Sequence, residues 1–153
     1  MFRSSVPWIF FTGENTMQVY EFMTTKMDFI DHDRSVYDAV EIMVDRRLRH
    51  LVVRTSGKVG AEAICGVLTA RDVVFKVLAR GINPKQVKVA DVASKPVACI
   101  SKDKSIEEAA GVMEKANIAR LFVCDGDEVL GVLNLLDVMA GELILSARGK
   151  HAS

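Results

Sequence analysis

The sequence predicts an α+β fold made of one β-α-β-β-α unit written twice, and three observations predict it. First, the chain aligns with itself at a constant shift of 70 residues. Val19, Ile30, Asp33, Ser35, Ala39, Met43, Leu51 and Val53 fall on Val89, Ile100, Asp103, Ser105, Ala109, Met113, Leu121 and Val123. Second, Gly66-Val67-Leu68-Thr69-Ala70-Arg71-Asp72 returns at a shift of 65 as Gly131-Val132-Leu133-Asn134-Leu135-Leu136-Asp137. Third, short apolar runs alternate with stretches whose apolar residues recur at i, i+3, i+4 and i+7, the spacing that gives a helix one buried face. The change of shift lies wholly between Val53 and Gly66, where a repeat that tolerates a length change marks a surface loop.

Taken in order, each copy opens with a short apolar strand, expected over 26–30 and again over 97–100. A helix follows, capped by Ser35 or Ser105. Its apolar positions are Val36, Ala39, Val40 and Met43 in the first copy and Ile106, Ala109, Ala110 and Met113 in the second. A strand over 51–53 or 121–123 leads into a hairpin. Asp125-Gly126 supplies a tight turn, and residues 55–62 form the longer version. The second hairpin strand ends in the Gly-Val-Leu motif. A closing helix carries Val73, Val74, Val77 and Leu78, or Val138, Met139 and Leu143. Asn83-Pro84 marks the linker. The boundaries read from sequence are a leader at 1–16, a first domain at 17–82, a second at 83–145 and a fraying polar tail at 146–153.

Bulk properties narrow the function. A chain of 153 residues holds one ordinary domain or two small fused units, and half of its residues are hydrophobic. Formal net charge is zero, and there is no aromatic platform, which sets aside a bulk grip on nucleic acid. Cys65, Cys99 and Cys124 are scattered and form no C-x-x-C pair, the pattern of a reducing cytoplasm. No stretch approaches a membrane span. The leader contains Trp8-Ile9-Phe10-Phe11 but no small-residue cleavage site, so it does not read as a signal peptide; Met17 is an alternative start. His32 and His151 lack a partner at metal-ligand spacing, and no metal site is expected. No nucleophile–base pair or Walker-type loop is present, so no catalytic residue is expected and the chain reads as a non-enzyme.

The repeated motif has two readings. Thr-x-x-Asp and Asn-x-x-Asp cap a helix by satisfying its orphan backbone donors. The same turn also offers exposed amides and a helix dipole to a phosphate, with a carboxylate nearby to accept a ribose diol.

The duplicated β-α-β-β-α order, the Gly-h-h-(Thr/Asn)-x-x-Asp turns, Arg49-His50-Leu51-Val52-Val53 at a strand entry, and the openings Phe22-Met23-Thr24 and Val92-Ala93-Ser94 together resemble the CBS domain pair, the cystathionine-β-synthase-type regulatory module. The resemblance implies a pseudo-two-fold pair of domains with two clefts that bind AMP, ADP, ATP or S-adenosylmethionine as a regulatory ligand, with no cofactor required. It implies a main nucleotide site of Thr69, Asp72, Arg49, His50 and Val67, with Val97, Ala98 and Ile118 lining the adenine. A second site takes Asn134, Asp137, Arg120 and Val132, with Met27, Asp28 and Leu48. Arg49 and Thr69 favour the first site; Asn134, Ala119 in place of Arg49, and the negative Asp28 disfavour the second. The resemblance further implies a homodimer and a separate regulated partner protein. The alternative is a structural or interaction module with empty clefts.

Overall fold

The computed structural model describes residues 17–149. The leader at 1–16, His151 and the last four residues lie outside the described residues. The chain divides into two compact units.

One unit comprises residues 26–98 and 127–129. Strand β1 (Phe29–Asp31) runs parallel to β2 (His50–Arg54), and β2 pairs antiparallel with β3 (Ile64–Thr69), with Leu51 opposite Leu68. Helix α1 (Val36–Arg46) joins β1 to β2, and Ser35 Oγ accepts the Asp38 amide at 3.0 Å as its cap. The helix ends in a left-handed residue, Arg47, at φ 57°. Helix α2 (Ala70–Lys76) leaves β3 without a loop. Val36, Ala39 and Met43 meet Leu51, Val53, Leu68, Val73 and Val77 in the core. The short helix α3 (Val89–Val92) adds Val89 and Val92 to the same core.

The other unit comprises residues 17–25, 99–126 and 130–149. Strand β4 (Cys99–Ser101) is parallel to β5 (Arg120–Asp125), and β6 (Glu128–Asn134) completes the sheet in the order β4-β5-β6. Helix α4 (Ile106–Ala116) carries a full capping box, Ser105 with Glu108, and ends at left-handed Asn117. Helix α5 (Leu135–Ala147) follows β6 directly. Met17, Ile106 and Leu145 pack together with Phe22 and Val138.

Several sequence expectations shift. Each opening strand begins two or three residues late, at Phe29 and Cys99. Helix α5 runs to Ala147, two residues into the expected tail. Ala110, Val74 and Leu78 are exposed, and so are Met139 (65%) and Leu143 (73%); Gly141 and Leu145 face inward instead. Helix α5 is apolar on nearly every side, so periodicity alone could not name its buried face. Cys99 and Cys124, far apart in sequence, bring their sulfurs to 2.8 Å across β4 and β5.

The opening stretches also change places. Phe22-Met23-Thr24 precedes the first copy in sequence but pairs with the motif strand of the second. The Thr24 amide donates to Val132 O and the Val132 amide to Thr24 O, both at 2.9 Å. Val92-Ala93-Ser94 pairs likewise with the first motif: the Ser94 amide donates to Val67 O at 2.8 Å, and the Val67 amide to Ser94 O at 3.1 Å. The motif glycines permit this approach. A Cβ on Gly131 would lie 2.6 Å from Thr24 O, and one on Gly66 would lie 3.2 Å from Ser94 O. The pairing sets Ser94 and Thr24 beside the motif carboxylates.

Candidate functional site

Each motif makes the same local structure. Strand β3 ends at Thr69, whose extended backbone turns into α2, and Asp72 is the third helical residue. Thr69 Oγ1 accepts the Asp72 amide at 3.1 Å and donates to Asp72 Oδ2 at 3.0 Å, while the Thr69 amide donates to Oδ2 at 3.0 Å. In the second copy Asn134 Oδ1 accepts the Asp137 amide at 2.8 Å, and the Asn134 amide donates to Asp137 Oδ2 at 2.9 Å. The capping reading therefore holds at both positions.

The two carboxylates differ in what else they hold. Asp72 is buried, at 5% exposure. Lys76 Nζ lies 2.9 Å from its Oδ1, and Ser94 Oγ lies 2.9 Å from both oxygens. Lys76 Nζ also donates to Val92 O at 3.0 Å, so one ammonium ties α2 to α3. Burial pushes the Asp72 carboxyl up, but the bonds from Lys76, Thr69 and Ser94 outweigh it and hold the group below the usual carboxylate range. Asp137 is half-buried. Beyond its cap it has one long contact, Thr24 Oγ1 at 3.5 Å to Oδ2, and its Oδ1 receives no hydrogen bond among the described residues. At the place of Lys76, four residues on, stands Gly141. A Cβ there would lie 2.6 Å from Ile106 Cδ1.

The remaining expected residues fall as follows. Arg49 is exposed, and its guanidinium makes no ion pair among the described residues; its carbonyl accepts the Ala70 amide at 2.9 Å. His50 starts β2 opposite Thr69. Val67 is buried in β3, and half-buried Val97 and Ala98 precede β4 in the same unit. Ile118 belongs to the other unit, half-buried just beyond α4. Arg120 opens β5 and Val132 is buried in β6. Met27, Asp28 and Leu48 belong with the first copy. The charge expected to repel a phosphate at Asp28 is matched by Arg46, 3.3 Å away. Sequence reasoning favoured the first position for a ligand; in the structure the first carboxylate holds more internal donors than the second. It missed Ser94 and Lys76. The i+4 spacing of Lys76 from Asp72 was a readable signal; the Ser94 contact depends on the exchanged openings and was not.

Among the described residues no group of three or more side chains is arranged to hold a metal, and no helix is long and apolar enough to cross a membrane.

The CBS domain family model matches residues 19–79 and 89–142, and the chain belongs to that family. It is a CBS domain pair, typically a regulatory module. An uncharacterized protein of Methanocaldococcus jannaschii is 32% identical over 110 residues, 72% of this chain and 58% of that protein. The chain spans about half the length of the first curated relatives it matches. Among solved structures, a hexameric CBS-CP12 protein from bloom-forming cyanobacteria superposes with a TM-score of 0.68 at 28% identity, covering 82% of this chain and 71% of that one. A CBS-domain protein of Agrobacterium tumefaciens shares the fold at a TM-score of 0.69 and 19% identity, over 88% of this chain and 98% of that one.

Proposed function

We propose that this CBS domain pair is a regulatory module that binds an adenosyl ligand (AMP, ADP, ATP or S-adenosylmethionine) and catalyses no reaction. The carrying observation is Asp137: a half-buried carboxylate on the first turn of a helix, with one oxygen open to donors. A ribose diol presents two O–H donors to such a group. Helix-start amides attract a phosphate. A ligand held this way shifts the population toward the conformations that bind it. The signal then passes to a partner protein or through self-association. A homodimer agrees with five exposed apolar residues on α5 and with a hexameric relative. Three scattered cysteines with no C-x-x-C pair agree with a cytoplasmic location.

A second reading, a purely structural module, draws on Asp72, whose carboxylate is already filled from within. Thermal unfolding with and without AMP, ADP, ATP and S-adenosylmethionine separates the two readings. At about 100 times its dissociation constant a ligand stabilises by roughly 2.7 kcal/mol. That moves the midpoint by about 5–10 °C in a chain of this size. No shift with any of the four, on protein freed of co-purified nucleotide, favours the structural module.

A further inference from the structure

The two motif carboxylates are repeats of one another and yet are in different states. An ionised carboxylate offers about four lone-pair positions. At Asp72 four donors fill them: the Thr69 amide, Thr69 Oγ1, Ser94 Oγ and Lys76 Nζ, all within 3.0 Å. At Asp137 the Asn134 amide and the long Thr24 contact share one oxygen, and the other is open. Three substitutions between the copies account for the difference. Asn134 replaces Thr69, and its Oδ1 accepts the Asp137 amide without returning a bond to the carboxylate. Gly141 replaces Lys76, in a place where a Cβ would lie 2.6 Å from Ile106 Cδ1. Thr24 replaces Ser94, with its hydroxyl 3.5 Å away instead of 2.9 Å.

We infer that Lys76 and Ser94 are an internal occupant of the first position: they saturate Asp72 and confine ribose-diol recognition to Asp137. The inference rests on the adenosyl reading above and assigns it one position per chain. A diol arriving at Asp72 must displace both the Lys76 ammonium and the Ser94 hydroxyl, each 2.9 Å from the carboxylate, and charged-group hydrogen bonds of this kind are the strong ones. A diol arriving at Asp137 displaces neither. Lys76 also holds Val92 O, and Ser94 belongs to the same Val92-Ala93-Ser94 stretch, so the same contacts that close Asp72 hold that stretch on the first motif.

The test is calorimetric titration of the full chain with AMP and with ATP. Wild-type protein is expected to take one equivalent. Asp137→Asn is expected to lose at least about tenfold in affinity, the effect of losing hydrogen bonds to a charged acceptor. The double variant Lys76→Met, Ser94→Ala is expected to gain a second equivalent, a readout that survives even if Asp137→Asn fails to fold. Two equal equivalents in wild type, or unchanged binding in Asp137→Asn, overturns the inference and leaves the adenosyl reading standing. A folded double variant that gains no second equivalent also overturns it. Absence of binding in every form overturns the adenosyl reading and this inference with it.

Discussion

At the scale of residues, Asp72 and the motif glycines make the sharpest predictions. The folded Asp72 carboxyl is a stronger acid than its unfolded counterpart because Lys76, Thr69 and Ser94 outweigh its burial. The unfolded state therefore binds the proton more readily. The stability that Asp72 contributes is complete above about pH 4 and is lost as the pH falls through the folded value. Asp72→Asn is expected to lower stability by about 1–3 kcal/mol at neutral pH, since its amide sets a donor against donors. That difference should close in acid; unfolding midpoints from pH 7 down to pH 2 check it, and a gap that stays constant contradicts the ion-pair account. Gly131→Ala forces a Cβ to within 2.6 Å of Thr24 O and is expected to cost about 1–3 kcal/mol. Gly111→Ala, in α4 with open space around it, is expected to gain about 0.5–1 kcal/mol. Thermal midpoints of the two variants should move in opposite directions. The glycines and carboxylates were legible in the sequence because the motif repeats. Their hydroxyl partners were not, because Ser94 and Thr24 arrive through backbone pairing with the opposite copy, which no local pattern encodes.

At the scale of elements, the caps and cores of α1 and α4 were legible, since Ser35 and Ser105 precede residues at strict helical spacing. The buried face of α5 was not, because a helix apolar nearly all round has no periodic signal. The copies also differ at their helix ends. Asn117 takes the left-handed conformation at φ 53°, and Arg47, its repeat equivalent, takes it at φ 57°. Asn tolerates that region through its short polar side chain, whereas Arg does not. Arg47→Gly is therefore expected to raise stability by about 1 kcal/mol, or a few degrees in the midpoint. A fall on substitution would mean that the exposed Arg47 side chain makes a stabilising contact.

At the scale of the whole molecule, two compact units, each with its own sheet and core, carry one repeated turn whose two carboxylates have diverged. The α5 face with Leu135, Leu136, Met139, Leu143 and Ile144 exposed belongs to this scale. Its exposure is consistent with association with a second copy. Leu136→Asp with Leu143→Asp is expected to lower the sedimentation mass toward that of a single chain without lowering unfolding cooperativity. An unchanged mass would place association elsewhere. The central claim is that a carboxylate in this pair accepts the diol of an adenosine phosphate. Equilibrium dialysis of the wild-type chain against AMP and against 2′-deoxy-AMP tests it most directly. The account predicts that AMP binds and that its 2′-deoxy counterpart binds roughly 10–150 times more weakly, the range for hydrogen bonds to a charged group. Equal affinity for the two, or retention of neither, contradicts it.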